Sequence, residues 1–185
     1  MNRIAEDLKN TCFEMSKAQK TVIVGADALI LELGDFLRRK RLIIMLRSRK
    51  KDGMKATETF DADISKLELL KSWFCAVNEC TDKLLYSIDE VNKFIDKKYF
   101  DDAALFSVNM LSSLCNFEES GNAKFGDLSE IWYTSIDVMN NLETEERFYK
   151  LRKDINTYME YHKKAIKILE ALKSELNKAR AGESK

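Results

Sequence analysis

No proline occurs anywhere in the 185 residues, where average usage would place about nine. Proline is the commonest interruption of a helix, so its absence leaves long helices unbroken. Glycine is scarce too, at six residues. A single histidine, His162, and four cysteines without a Cys-x-x-Cys pair cannot build a tetrahedral Cys/His zinc site. Cys12, Cys75, Cys80 and Cys115 are therefore read as buried free thiols in a reducing compartment. No apolar run approaches the roughly 18 residues that would span a bilayer. The N-terminal MNRIAEDLKN lacks the apolar centre of a signal peptide, so the chain is expected in the cytosol, with peripheral membrane contact open to it.

Charge of one sign is lacking as well. Lys and Arg number 31, equal to Asp and Glu, so net charge exerts no global pull toward nucleic acid or membrane. Any electrostatic role must come from local clustering.

What is present is helical periodicity over most of the chain. Ile4, Leu8, Cys12, Met15, Val22, Ala26, Leu29, Leu33 and Phe36 share one helical face. Lys51-Asp52-Gly53 reads as the end of that helix. Residues 53–63 lack periodicity and are expected to connect, with Ser65 and Glu68 as a capping box and Asp61 and Asp63 as competing N-caps. Leu67, Leu70, Phe74, Val77, Thr81, Leu84, Ile88, Val91 and Ile95 then keep a heptad, the signature of a coiled-coil seam.

The seam slips near residues 97–102, predicting a break, and resumes through Leu105, Val108, Leu111, Leu114 and Phe117. A second connection is predicted over Glu118–Asp127. The last helix shows two registers, one through Leu128, Trp132, Ser135, Met139 and Leu142, the other through Leu151, Ile155, Tyr158, His162, Ala165, Leu169, Leu172 and Leu176. Their phase difference predicts a bend near residues 143–148.

The fold class is thus all-α: an elongated antiparallel three-helix coiled-coil bundle with kinked helices. It forms one domain over residues 1–181, with helices at about 2–51, 63–117 and 127–181 and a disordered tail at 182–185. Helices of that length leave apolar surface uncovered, and pairing with a second chain into a rod or arc is the natural way to cover it. Leu42, Ile43, Ile44, Met45 and Leu46, which wrap the whole helix, are expected at the dimer centre. Phe74, Leu84, Ile88, Ile155, His162 and Leu169 are expected in the packed seam.

No arrangement of residues supports catalysis. His162 has Tyr158, Met159, Ala165 and Ile166 as its helical neighbours, none of them a partner for proton transfer or metal binding. Glu143, Glu145 and Glu146 lack the Glu-x-x-His spacing of di-metal bundles. Phosphate-cradling glycine loops, nucleophile elbows and zincin motifs do not occur. The chain is read as no enzyme, with no cofactor and no metal.

The informative cluster is basic: Arg38, Arg39, Lys40, Arg41, Arg47, Arg49, Lys50, Lys51 and Lys55, nine cations in 18 residues with Asp52 as the one acid. Cations complement the C-terminal end of a helix dipole, which accounts for the last of them in the first helix but not the first quartet. The alternatives are an anionic lipid surface or nucleic acid, the latter disfavoured by a pI near 6.6.

The stretch Tyr158-Met159-Glu160-Tyr161-His162-Lys163-Lys164-Ala165-Ile166-Lys167-Ile168-Leu169-Glu170-Ala171-Leu172 resembles the final helix of BAR domains, especially of the endophilin type. Lys124-Phe125, Ser135 and Met139-Asn140-Asn141-Leu142-Glu143 look like the earlier part of that helix, so that about 45 residues carry the resemblance. It implies a kinked three-helix coiled coil that dimerises into a curved rod and binds anionic membrane through basic residues, here the Arg38–Lys55 cluster. The other reading is a helical adaptor that binds a protein partner through an exposed apolar seam and touches no lipid.

Overall fold

The computed structural model describes the backbone of residues 1–47 and 51–183, and the side chains outside 41–56, 118, 122–124, 127, 138 and 183. Among the described residues every regular element is helical. In order they are α1 (Asn2–Arg47), α2 (Lys51–Asp96), α3 (Phe100–Ile131), a π-helical turn (Trp132–Ile136), the short α4 (Asp137–Met139) and α5 (Leu142–Glu183).

The helix ends depart from expectation in three places, each with a local cause. Residues 53–63 lie inside α2, so Ser65 caps nothing, and its hydroxyl donates to the Asp61 carbonyl at 3.0 Å. Glu118–Asp127 lie inside α3, glycines included. The predicted bend near 143–148 is instead a chain reversal at Asn140 and Asn141. Asn140 adopts the left-handed conformation (φ 49°), which asparagine tolerates better than most residues. Asn141 then caps α5, its Oδ1 accepting from the Glu143 N–H at 3.0 Å. Two helices meeting at that turn, not one bent helix, account for the phase difference.

The turn from α2 to α3 is tighter still. Tyr99 N–H donates to Phe94 C=O at 2.8 Å and Lys98 N–H to Ile95 C=O at 3.0 Å, with Lys98 left-handed at φ 60°. That is the paired hydrogen-bond pattern with which helices commonly end, here closed by lysine where glycine is usual.

By its internal packing the chain divides into two compact units. The first comprises Met1–Gln19, Ala76–Ser120 and Asn156–Lys185; the second comprises Lys20–Cys75 and Gly121–Ile155. Each is built from segments of α1, α2, α3 and α5, the second with the π turn and α4 as well.

In the first unit, Lys9 meets Asp89 at 2.7 Å and Ser16 meets Asn78 at 3.1 Å, so α1 and α2 run antiparallel. Phe94 packs on Phe106 across the α2–α3 turn, with ring centroids 5.5 Å apart. Arg180 of α5 reaches back to Asp101. The core contains Leu8, Cys12 and Met15 from α1, Leu84, Ile88 and Val91 from α2, Met110 and Leu114 from α3, and Tyr158, Leu169, Leu172 and Leu176 from α5. Two of its polar members are bonded to each other: Gln19 Nε2 donates to Thr81 Oγ1 at 3.0 Å, and Thr81 to the Val77 carbonyl at 2.9 Å. Thr81, the polar member of the heptad, is therefore buried at little cost.

In the second unit, Asp27 meets Lys71 at 2.5 Å and Phe36 packs on Phe60 at 5.1 Å, again antiparallel. Glu32 holds Arg147 at 2.9 Å, and a β-carbon on Gly25 would lie 3.3 Å from Leu151, so α5 runs antiparallel to α1. Trp73 and Phe74 pack against Phe125 of α3. The seam residues Phe74, Leu84, Ile88, Ile155, His162 and Leu169 are thus buried inside the units that contain them.

Candidate functional site: a cationic hairpin end

The last buried residues before the α1–α2 connection are Leu37 and Phe60, packed in the second unit. Around them α3 and α5 turn back at Asn140–Asn141, with Asp63 bonded to Ser135 and Glu32 to Arg147. Beyond that level α1 continues for ten residues to Arg47, and nine residues of α2 precede Phe60. At 1.5 Å per residue the two helices run on for about 15 Å past the α3–α5 turn.

This extension holds the cationic cluster. Arg38, Arg39 and Lys40 are exposed. Arg38 pairs with Asp35 one turn back, and Lys40 Nζ lies 5.4 Å from the Phe36 ring centroid. Arg41, Arg47, Lys51 and Lys55 belong to α1 and α2, while their side chains lie outside the described set. The same holds for Leu42, Ile43, Ile44, Met45 and Leu46, and Arg49 and Lys50 lie outside the described residues altogether. Five consecutive apolar residues therefore sit in an extension of two helices, between a cationic quartet and a second cationic group.

The seam residues go to the interiors of the two units. Phe74, Leu84, Ile88, Ile155, His162 and Leu169 are all buried. His162 packs beside Tyr158, whose hydroxyl lies 3.2 Å from its Nδ1. The cysteines divide, contrary to the expectation of four buried thiols. Cys12 is buried, and burial pushes its thiol up to about 12, while Cys75 and Cys80 are half-buried and Cys115 is exposed. Cys115 stands on the outward side of α3, where period alone does not separate a core position from a surface one.

One buried polar node was not legible in the sequence. Asp63, 1% exposed on α2, receives hydrogen bonds from Ser135 Oγ at 2.6 Å and Thr134 Oγ1, and an ion pair from Lys66 at 3.3 Å. Lys66 also holds Glu130 at 2.9 Å, and the Glu130 carboxylate, followed by Asp63, keeps its ammonium above the ordinary value of 10.5. Thr134 and Ser135 belong to the π turn, whose wider winding brings two consecutive hydroxyls onto one carboxylate. All ligands of the node come from its own packing, and it has the character of a clamp between α2 and the end of α3.

Among the described residues no group of three or more His, Cys, Asp or Glu is placed to hold a metal ion. No described helix is long and apolar enough to cross a membrane. What defines this protein is thus an all-helical chain with a cationic and apolar helix–helix end. Comparison with family models, with curated proteins and with solved structures found no significant match.

Proposed function

We propose that the chain is a non-enzymatic helical module that attaches to anionic membrane through the α1–α2 end, residues 38–55. The observation that carries this reading is the continuation of two helices, rich in cations and carrying Leu42–Leu46, past the turn between α3 and α5. An apolar run held between cations suits the boundary of a bilayer, where apolar side chains enter the acyl region and cations meet headgroups. Each Lys or Arg close to anionic lipid contributes about 1 kcal/mol, so four or five engaged together give a reversible affinity that salt weakens.

The cations and the apolar run stand together at the α1–α2 end, and the reading holds for one chain or for a pair of chains. Sedimentation with phosphatidylcholine vesicles, with and without phosphatidylserine, tests it. Binding that requires phosphatidylserine is expected, and equal negligible binding to both vesicle types would sink it.

A further inference from the structure

The cationic end is one half of a charge pattern. Residues 38–55 hold nine cations and Asp52, a net of eight positive charges. The level just below, where α3 and α5 turn back, is as strongly negative. Residues 32–37 of α1, 57–66 of α2 and 130–147 around the turn hold ten acids, with Lys66 and Arg147 as their cations, a net of eight negative charges. The rest of the second unit carries six cations and four acids, so the segregation is confined to its α1–α2 end.

The acids form one band because packing brings their segments together. Phe36 packs on Phe60 at 5.1 Å, Glu32 holds Arg147 at 2.9 Å and Asp63 accepts from Ser135 at 2.6 Å, which sets the three segments at one level. Asp35, Glu58, Asp61, Asp137, Glu143 and Glu146 stand exposed on its outside. Lys66 is engaged with Asp63 and Glu130, and Arg147 with Glu32 and Glu143.

An anionic bilayer therefore meets a different charge in each orientation. Lying along the side of the second unit, it would touch both clusters, and the acids would offset the cations. Met at the end of the extension, it touches cations while the acids stand about 15 Å back. The screening length at physiological salt is about 8 Å, so at that distance the repulsion is largely screened and the contact with the cations is not. Attraction is present end-on and cancelled side-on.

We propose that the acidic band is a stop for the membrane: anionic lipid engages only the extension beyond Leu37 and Phe60, and the band repels it from the side of the second unit. The inference rests on the attachment proposed above and adds its depth and direction. The band selects one approach by making the other unfavourable, the usual way in which a surface is made specific against an alternative.

The test uses vesicles of phosphatidylserine and brominated phosphatidylcholine, whose bromines quench tryptophan in the acyl region, with sedimentation of the same samples reading binding. In the bound chain Leu46→Trp is expected to be quenched. Ala62→Trp, at an exposed position in the band, should add no quenching to that of the native chain with Trp73 and Trp132. Affinity is then compared at about 50 mM salt, where the screening length is on the order of the 15 Å separation. Glu58→Gln with Asp137→Asn should tighten binding by about threefold, a gain that shrinks as salt rises. Glu68→Gln with Asp154→Asn, in the same unit beyond the band, should leave it unchanged. Quenching at Ala62→Trp in the bound chain, no tightening in the first pair, or equal tightening in both pairs would overturn the stop and leave the attachment standing. No sedimentation with these vesicles would overturn both.

Discussion

A β-carbon placed on Gly121 would lie 2.8 Å from Cη2 and 2.9 Å from Cζ2 of Trp73. The indole cannot move away cheaply, since it packs edge-on against both Phe74 and Phe125. Gly121 is thus the point at which α3 and the α2 tryptophan come into contact. Gly121→Ala should destabilise the chain by about 1–3 kcal/mol, the usual range for overpacking a filled interior. Gly34, in the interior of α1 with open space where a β-carbon would go, provides the internal control. Gly34→Ala should stabilise by up to about 1 kcal/mol. Urea unfolding of the two variants checks both signs, and a stabilised Gly121→Ala would contradict the packing described.

Lys98 closes α2 in a left-handed conformation that costs an L-residue about 1–2 kcal/mol and glycine almost nothing. Lys98→Gly should therefore raise stability by a few tenths to about 1 kcal/mol, part of the gain being offset by the greater freedom of glycine in the unfolded chain. A lowered melting temperature in this variant would show that the Lys98 side chain contributes something beyond the turn.

Lys66, held by Glu130 and Asp63, should contribute to the pH dependence of the fold on the alkaline side. The folded-state value of Lys66 lies above 10.5, its ordinary value, so its contribution is fully present below that value. It is lost as pH rises through the folded value. Lys9, Lys71 and Lys93 are raised in the same direction by Asp89, Asp27 and Glu90. The urea midpoint should hold from about pH 8 to about pH 10 and fall as pH rises beyond about 10.5, and fall less in Lys66→Met. Asp63→Asn should cost about 1.5–3 kcal/mol at neutral pH, because it replaces a charged acceptor of several hydrogen bonds.

The thiols should separate by reactivity. Exposed Cys115 is expected to react with a thiol reagent within the dead time of unfolding-independent labelling, with Cys75 and Cys80 slower. Cys12, buried and with its thiol pushed up to about 12, should stay unlabelled until the first unit opens. Mass spectrometry of timed samples reads the order directly. Early labelling of Cys12 would mean that the first unit opens far more readily than its packing implies.

The all-helical class was legible because proline is absent and two heptad series are nearly unbroken. The α2 positions from Leu67 to Ile95 and the α5 positions from Leu151 to Leu176 are the ones that turn inward. The helix ends were harder to read, for identifiable reasons. Gly121 looked like a connection because glycine usually marks one, yet it serves a close contact 48 residues away in sequence, with Trp73. Asn140-Asn141 carried a usable signal, since one asparagine suits the left-handed turn and the next suits an N-cap. The reading at Gly121 split one helix, and the reading at Asn140-Asn141 merged two. The cationic cluster was visible as composition, whereas its place at the end of the α1–α2 pair depends on where α3 and α5 turn. The Asp63 node depends on a π turn that sequence period does not mark.

The central claim is that residues 38–55 meet anionic lipid. Titrating phosphatidylserine vesicles against the native chain and against a chain carrying Arg38→Glu, Arg39→Glu, Lys40→Glu and Arg41→Glu tests it most directly. The native chain should bind in a manner that weakens as salt rises, and the fourfold variant, equally helical, should lose binding by about a hundredfold or more. Undiminished binding of the fourfold variant to the same vesicles would contradict the account.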